Sequence, residues 1–186
     1  MIHYIYSDMI SMIKYLPYGM LIGIPVSAIL LFAALKLGKR KDKKPAALLP
    51  VVVFGFYLAL MMVITFLSRE SGSRDGMDLK LFATWGINTR NNAYVVENVL
   101  LFIPYGFFGS MAFEKLRHFL PSIALGAATS LGIECMQLVT KRGFFQTDDI
   151  WTNILGTVIG FCVFRLLSGL VSGMKKAHPG EAEDIT

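Results

Sequence analysis

The chain has 186 residues, 54% of them hydrophobic, with 18 Lys and Arg against 13 Asp and Glu and a formal charge of +5. Soluble domains carry roughly 45–50% apolar residues, and the mean hydropathy of +0.56 marks an integral membrane protein with little sequence left for a separate soluble domain. The basic clusters adjoin apolar runs and lack interleaved aromatic residues, which argues against nucleic-acid binding and for membrane topology and attraction to anionic headgroups.

A helix crossing a hydrocarbon layer about 30 Å thick needs roughly 20 apolar residues. Five runs meet that length, at residues 15–37, 46–67, 93–113, 119–139 and 150–171. They predict one all-α domain over residues 1–186, a polytopic bundle of five transmembrane helices, with no internal repeat. The first run lacks a basic leading segment and a small-residue cleavage site and exceeds the length of a signal-peptide core, so it reads as a retained anchor.

Lys and Arg accumulate in cytoplasmic loops. The first connection carries six basic residues in nine positions: Lys36, Lys39, Arg40, Lys41, Lys43 and Lys44. Lys115, Arg117, Arg165, Lys175 and Lys176 fall on the same side, whereas Lys14, Arg69, Arg74, Lys80, Arg90, Lys141 and Arg142 fall on the other. The bias predicts a multi-pass protein with the N-terminus outside and the C-terminus inside.

Ionisable groups within a membrane span are costly and mark sites facing a cavity, a partner or a substrate. Glu97 and Asn98 lie about one turn inside the third run, at ~1.5 Å per residue. Glu134 and Gln137, spaced i, i+3, share a face near the end of the fourth. Asp148 and Asp149 open the fifth, with Asn153 one turn beyond Asp149. Arg69 and Arg142 follow the second and fourth runs. With the predicted orientation all of these groups converge at one depth below the outer surface.

Small residues predict how the spans pack. Gly156 and Gly160 continue the Asp149–Asn153 side of the fifth span in a small-xxx-small pattern that allows close helix approach. Gly126, Ser130 and Gly132 give the fourth a comparable surface, and Gly106 and Gly109 the third. Pro104 removes a hydrogen bond from the third span and predicts a bend that opens an outward cavity. Two other readings stand beside a functional one. Asn98, Gln137 and Asn153 can act as interhelical hydrogen-bond glue worth roughly 1 kcal/mol each, and Glu97, Glu134 and Asp149 can form a structural ion-pair network with Arg69 and Arg142. Trp85 and Trp151 fit an outer aromatic belt.

His3, His118 and His178 lie away from the polar group, so neither a zinc site nor a histidine-activated nucleophile finds support. Cys135 and Cys162 sit at different depths, which disfavours a disulfide. No phosphate-binding loop or dinucleotide motif is present, and no cofactor is implied. Carboxylates, amides and guanidinium groups remain. These can transfer protons if burial separates two carboxylates in acidity, or grip a phosphate or sugar through hydrogen bonds and Arg forks.

Residues 96–109, VENVLLFIPYGFFG, and 131–160, LGIECMQLVTKRGFFQTDDIWTNILGTVIG, resemble the VanZ-like family of bacterial membrane proteins. The family's E-x-x-Q pattern falls on Glu134 and Gln137, its loop arginine on Arg142, and its D-x-x-x-N-x-x-G-x-x-x-G pattern on Asp149, Asn153, Gly156 and Gly160. N-x-x-x-F-x-P-x-G falls on Asn98, Phe102, Pro104 and Gly106. The motifs concentrate in residues 93–171; a family-like N-L-x-P-F stretch is replaced by LKLFATW at residues 79–85. The resemblance implies a bacterial cytoplasmic-membrane protein associated with resistance to teicoplanin, a lipoglycopeptide acting on cell-wall precursors at the outer face.

Two functions follow as expectations. One is binding of an envelope lipid, a lipid-linked cell-wall precursor or the lipoglycopeptide, with Arg69 and Arg142 on anionic groups and Glu97, Asn98, Gln137, Asp148 and Asn153 among the ligand-binding residues. The other is an intramembrane hydrolase or transferase using Glu134 and Asp149 as acid and base.

Overall fold

The computed structural model describes residues 1–37, 48–67, 69, 72, 76–81 and 84–177. Helices run as α1 (Ile2–Met12), α2 (Leu16–Leu37), α3 (Leu49–Met62), α4 (Thr89–Ala112), α5 (Phe119–Thr140) and α6 (Thr147–Ala177). Five stretches are long and apolar enough to cross a membrane: Ile2–Lys36, Leu49–Phe66, Thr89–Ala112, Phe119–Thr140 and Thr147–Met174. The chain is a multi-pass, all-α membrane bundle.

The first stretch begins earlier than the expected residue 15. No Gly or Pro interrupts Ile2–Met12, and a 3₁₀ turn at Ile13–Tyr15 joins α1 to α2. α3 starts at Leu49 with Pro50 in its first turn, where the missing N–H costs no helical bond. It continues as a π-helical turn over Val63–Leu67. α4 is capped by Asn88, whose side chain accepts from the Asn91 N–H at 2.8 Å, and it runs through Pro104 as one helix. α5 ends on Lys141 in the left-handed region, φ 53°. The basic residues Lys39, Arg40, Lys41, Lys43, Lys44 and Arg74, together with His178 and residues 82–83, lie outside the described residues.

α4 and α6 form the most extensive helix contact. A Cβ on Gly156 would overlap the Val99 carbonyl oxygen, and one on Gly160 the Ile103 carbonyl oxygen. The two backbones therefore touch along the small-residue seam, and larger side chains would force the helices apart. α2 pairs with α3, α3 packs on α4, and α5 lies against α6. Phe54, Met61, Phe102, Tyr105 and Ile133 form the buried apolar core. At one end of the bundle a short parallel pair, β1 (Met77–Asp78) with β2 (Phe145–Gln146), ties the α3–α4 connection to the α5–α6 connection.

Candidate functional site

That tied end holds a cavity of about 810 Å³, within the roughly 300–1,000 Å³ of small-molecule sites. Its polar lining includes Asp8 of α1, Thr65 of the α3 extension, Tyr94, Glu97 and Asn98 of α4, Asp149 of α6, and Arg69, Arg142 and Gln146 of the connections. Its apolar lining includes Ile5, Met9 and Met12 of α1, Leu60 and Ile64 of α3 and its extension, and Leu100 and Leu101 of α4. One cavity thus offers charge and hydrogen bonding together with hydrocarbon.

Five of the residues singled out in the sequence line it: Arg69, Glu97, Asn98, Arg142 and Asp149. The Asp149 carboxyl interacts with the Arg69 guanidinium and lies within reach of the Asn98 amide. Glu134 interacts electrostatically with both Asp149 and Arg69, but it stands behind the wall, where its Oε2 accepts the Gln146 backbone N–H at 2.8 Å. Arg142 divides its role, because its Nη1 donates to the Phe66 carbonyl at 2.8 Å and to the Arg69 carbonyl at 3.3 Å. The Phe66 carbonyl lies near the end of the α3 extension and also accepts the Arg69 N–H at 3.2 Å, so Arg142 supplies it with a second, charged donor.

The other three do not line the cavity. Gln137 is 2% exposed and its Nε2 donates to the Thr65 carbonyl at 3.3 Å, across from α5 to the α3 extension. Asn153 is 4% exposed and donates to Ser130 Oγ at 2.9 Å, joining α6 to α5. Asp148 accepts the Thr84 N–H at 2.8 Å and so fixes the long α3–α4 connection to the start of α6. The i, i+3 and i, i+4 spacing gathered these groups at one end, but side-chain direction decided which face the void.

Sequence spacing passed over Asp8. It forms an ion pair with Arg90 at 2.9 Å, and Arg90 lies over the Tyr4 and Tyr94 rings at 5.1 and 4.7 Å. These contacts hold α1 along α4 and make it a cavity wall. The available signal was a lone carboxylate among apolar residues before the first span. Glu97 faces Asp8, and its Oε1 is buried without a hydrogen-bond partner among the described residues. No group of three His, Cys, Asp or Glu side chains among the described residues could hold a metal ion.

A family model described as VanZ/LLP1 matches residues 54–168, more than half of the chain. Protein VanZ of Enterococcus faecium is 31% identical over 78 residues, covering 42% of this chain and 48% of that relative, so the match spans about half of the relative's length. No solved structure matches.

Proposed function

The chain belongs to the VanZ/LLP1 family, and from that premise we propose that it binds an amphiphile of the bacterial envelope in the cavity between α1, α3, α4 and α6. The bound molecule is an envelope lipid, a lipid-linked cell-wall precursor or a lipoglycopeptide. Binding takes place at the outer leaflet of the cytoplasmic membrane, with the N-terminus outside and the C-terminus inside, and contributes to teicoplanin resistance. The observation that carries this reading is the mixed lining of the cavity, in which charged and amide groups stand together with hydrocarbon. Arg69 offers a cation to a phosphate or carboxylate, Asn98 and Tyr94 offer donors and acceptors to hydroxyls and amides, and Ile5, Met9, Leu60 and Leu100 offer hydrocarbon. A polar head and an apolar portion therefore both find partners in one cavity.

The test is expression in a teicoplanin-susceptible Gram-positive host, with membrane levels checked by immunoblot. Wild-type protein raises the inhibitory concentration of teicoplanin, and Arg69→Ala or Asn98→Ala at equal membrane abundance loses most of that increase. Full retention by both variants would overturn the reading.

The electrostatic interaction between the Asp149 and Glu134 carboxyls favours one alternative, an intramembrane hydrolase or transferase. In that reading Asp149 faces substrate, Glu134 adjusts it from behind, and Asp149→Asn abolishes the phenotype while ligand binding persists. Binding is the stronger reading because Glu134 is committed to the Gln146 N–H.

A further inference from the structure

An apolar recess of about 280 Å³ lies beside the main cavity, walled by Gly19 and Met20 of α2, Val53 and Phe56 of α3, and Phe108 of α4. Leu16, Tyr57 and Leu60 line both voids, which therefore meet at these side chains. Tyr57 forms the partition: its hydroxyl donates to the Leu101 carbonyl, and its ring lies 5.9 Å from that of Phe108. The hydroxyl is the only polar side-chain group among the recess residues and is already committed. Met20 is 61% exposed and Val53 36%, so the recess opens on the face that lipid would cover.

Its direction identifies an occupant. Along α2 it runs from Leu16, shared with the cavity, to Met20; along α3 it runs from Leu60, also shared, back to Val53. The latter path covers ~10 Å at ~1.5 Å per residue and follows the helix axes, as lipid chains do. We propose that the recess takes the hydrocarbon tail of the amphiphile whose head occupies the main cavity, a proposal that rests on the binding reading above. A head held at Arg69 would send its tail past Leu16, Tyr57 and Leu60 into this groove, so chain length contributes to selection.

The experiment measures affinity for lysophosphatidylglycerols of increasing chain length, and for chainless glycerophosphoglycerol, using full-length protein in amphipol. Wild-type affinity should rise about fourfold per added methylene, the equivalent of ~0.8 kcal/mol for each one buried, and level off once the recess is full. Met20→Trp and Val53→Phe fill the groove from its exposed wall; both should level off at a shorter chain with unchanged affinity for the shortest lipids. Identical chain-length profiles in wild type and both variants would show a bulk-lipid surface only and overturn the proposal. A wild-type affinity independent of chain length would do the same. Sensitivity to the groove variants with none to Arg69→Ala would instead overturn the head-group reading and leave a tail site alone. Absence of binding by every probe overturns both.

Discussion

Arg142 offers the sharpest separation of architecture from ligand binding. Its Nη1 donates to the Phe66 carbonyl at 2.8 Å and the Arg69 carbonyl at 3.3 Å, so Arg142→Ala removes a cation and, with it, the charged donor to both carbonyls, leaving Phe66 with the Arg69 N–H alone. A hydrogen bond from a charged donor contributes about 1.5–3 kcal/mol. The first contact has full geometry, while the second is long and adds a fraction of that. Arg142→Ala should therefore lower unfolding free energy by about 2–3 kcal/mol with no ligand present. Arg142→Lys, which keeps the charge but not the planar fork, should lose about half as much. The assay is reversible unfolding in mixed micelles, followed by helical circular dichroism. A change below about 0.5 kcal/mol, the level of an ordinary surface substitution, would refute the clamp and return Arg142 to the cavity as a ligand group.

Three further outcomes follow from the contacts. Gly160→Leu should abolish the folded bundle by overlap with the Ile103 carbonyl, whereas Gly132→Ala, with nothing within 4 Å of the added carbon, should be neutral or stabilising by up to ~1 kcal/mol; size-exclusion profiles and unfolding curves distinguish them. Glu134→Gln should keep the acceptor for the Gln146 N–H and remain folded, while Glu134→Ala should lose about 1–3 kcal/mol by leaving that donor unpaired, measured by the same unfolding assay. Arg90→Ala should raise amide exchange across α1 while changing global stability by less than ~1 kcal/mol, since the Asp8 pair is partly exposed. Protection of α1 unchanged from wild type would remove the ion pair as its fastening.

The bundle was legible because each span satisfies a length and hydropathy requirement without reference to its neighbours. The α4–α6 seam was legible too, since Gly156 and Gly160 leave few other ways to use two small residues one turn apart. The N-terminal helix was not, because α1 carries no buried residue of its own; its place comes from Asp8 and Arg90, separated by 82 positions. The short pairing of residues 77–78 with 145–146 likewise depends on two loops meeting in space. For the polar cluster, spacing set which helix end each residue occupies, but not which wall it faces. Asn153 and Gln137 look inward to neighbouring helices, Asp149 and Asn98 to the void.

That division bears on how the cavity can coexist with a stable fold. A void edged by charges weakens a membrane bundle unless the surrounding backbone is fastened independently, because lipid offers no hydrogen bonds to loose groups. Here a second layer supplies the fastening: Gln137 to Thr65, Arg142 to Phe66, Glu134 to Gln146, Asp148 to Thr84 and Asn153 to Ser130. Each contact joins different elements at the same end of the molecule. Arg69, Asn98 and Asp149 can then present their polar groups to the cavity while separate residues tie the helix ends together. Substitutions in the two layers should accordingly differ in kind. Arg69→Ala and Asn98→Ala should impair resistance at near-normal stability, whereas Gln137→Ala and Asn153→Ala should lower stability by ~1 kcal/mol each and impair resistance only in proportion to lost folded protein. Paired measurements of unfolding free energy and teicoplanin tolerance across these four variants check the division; a single correlation line through all of them would refute it.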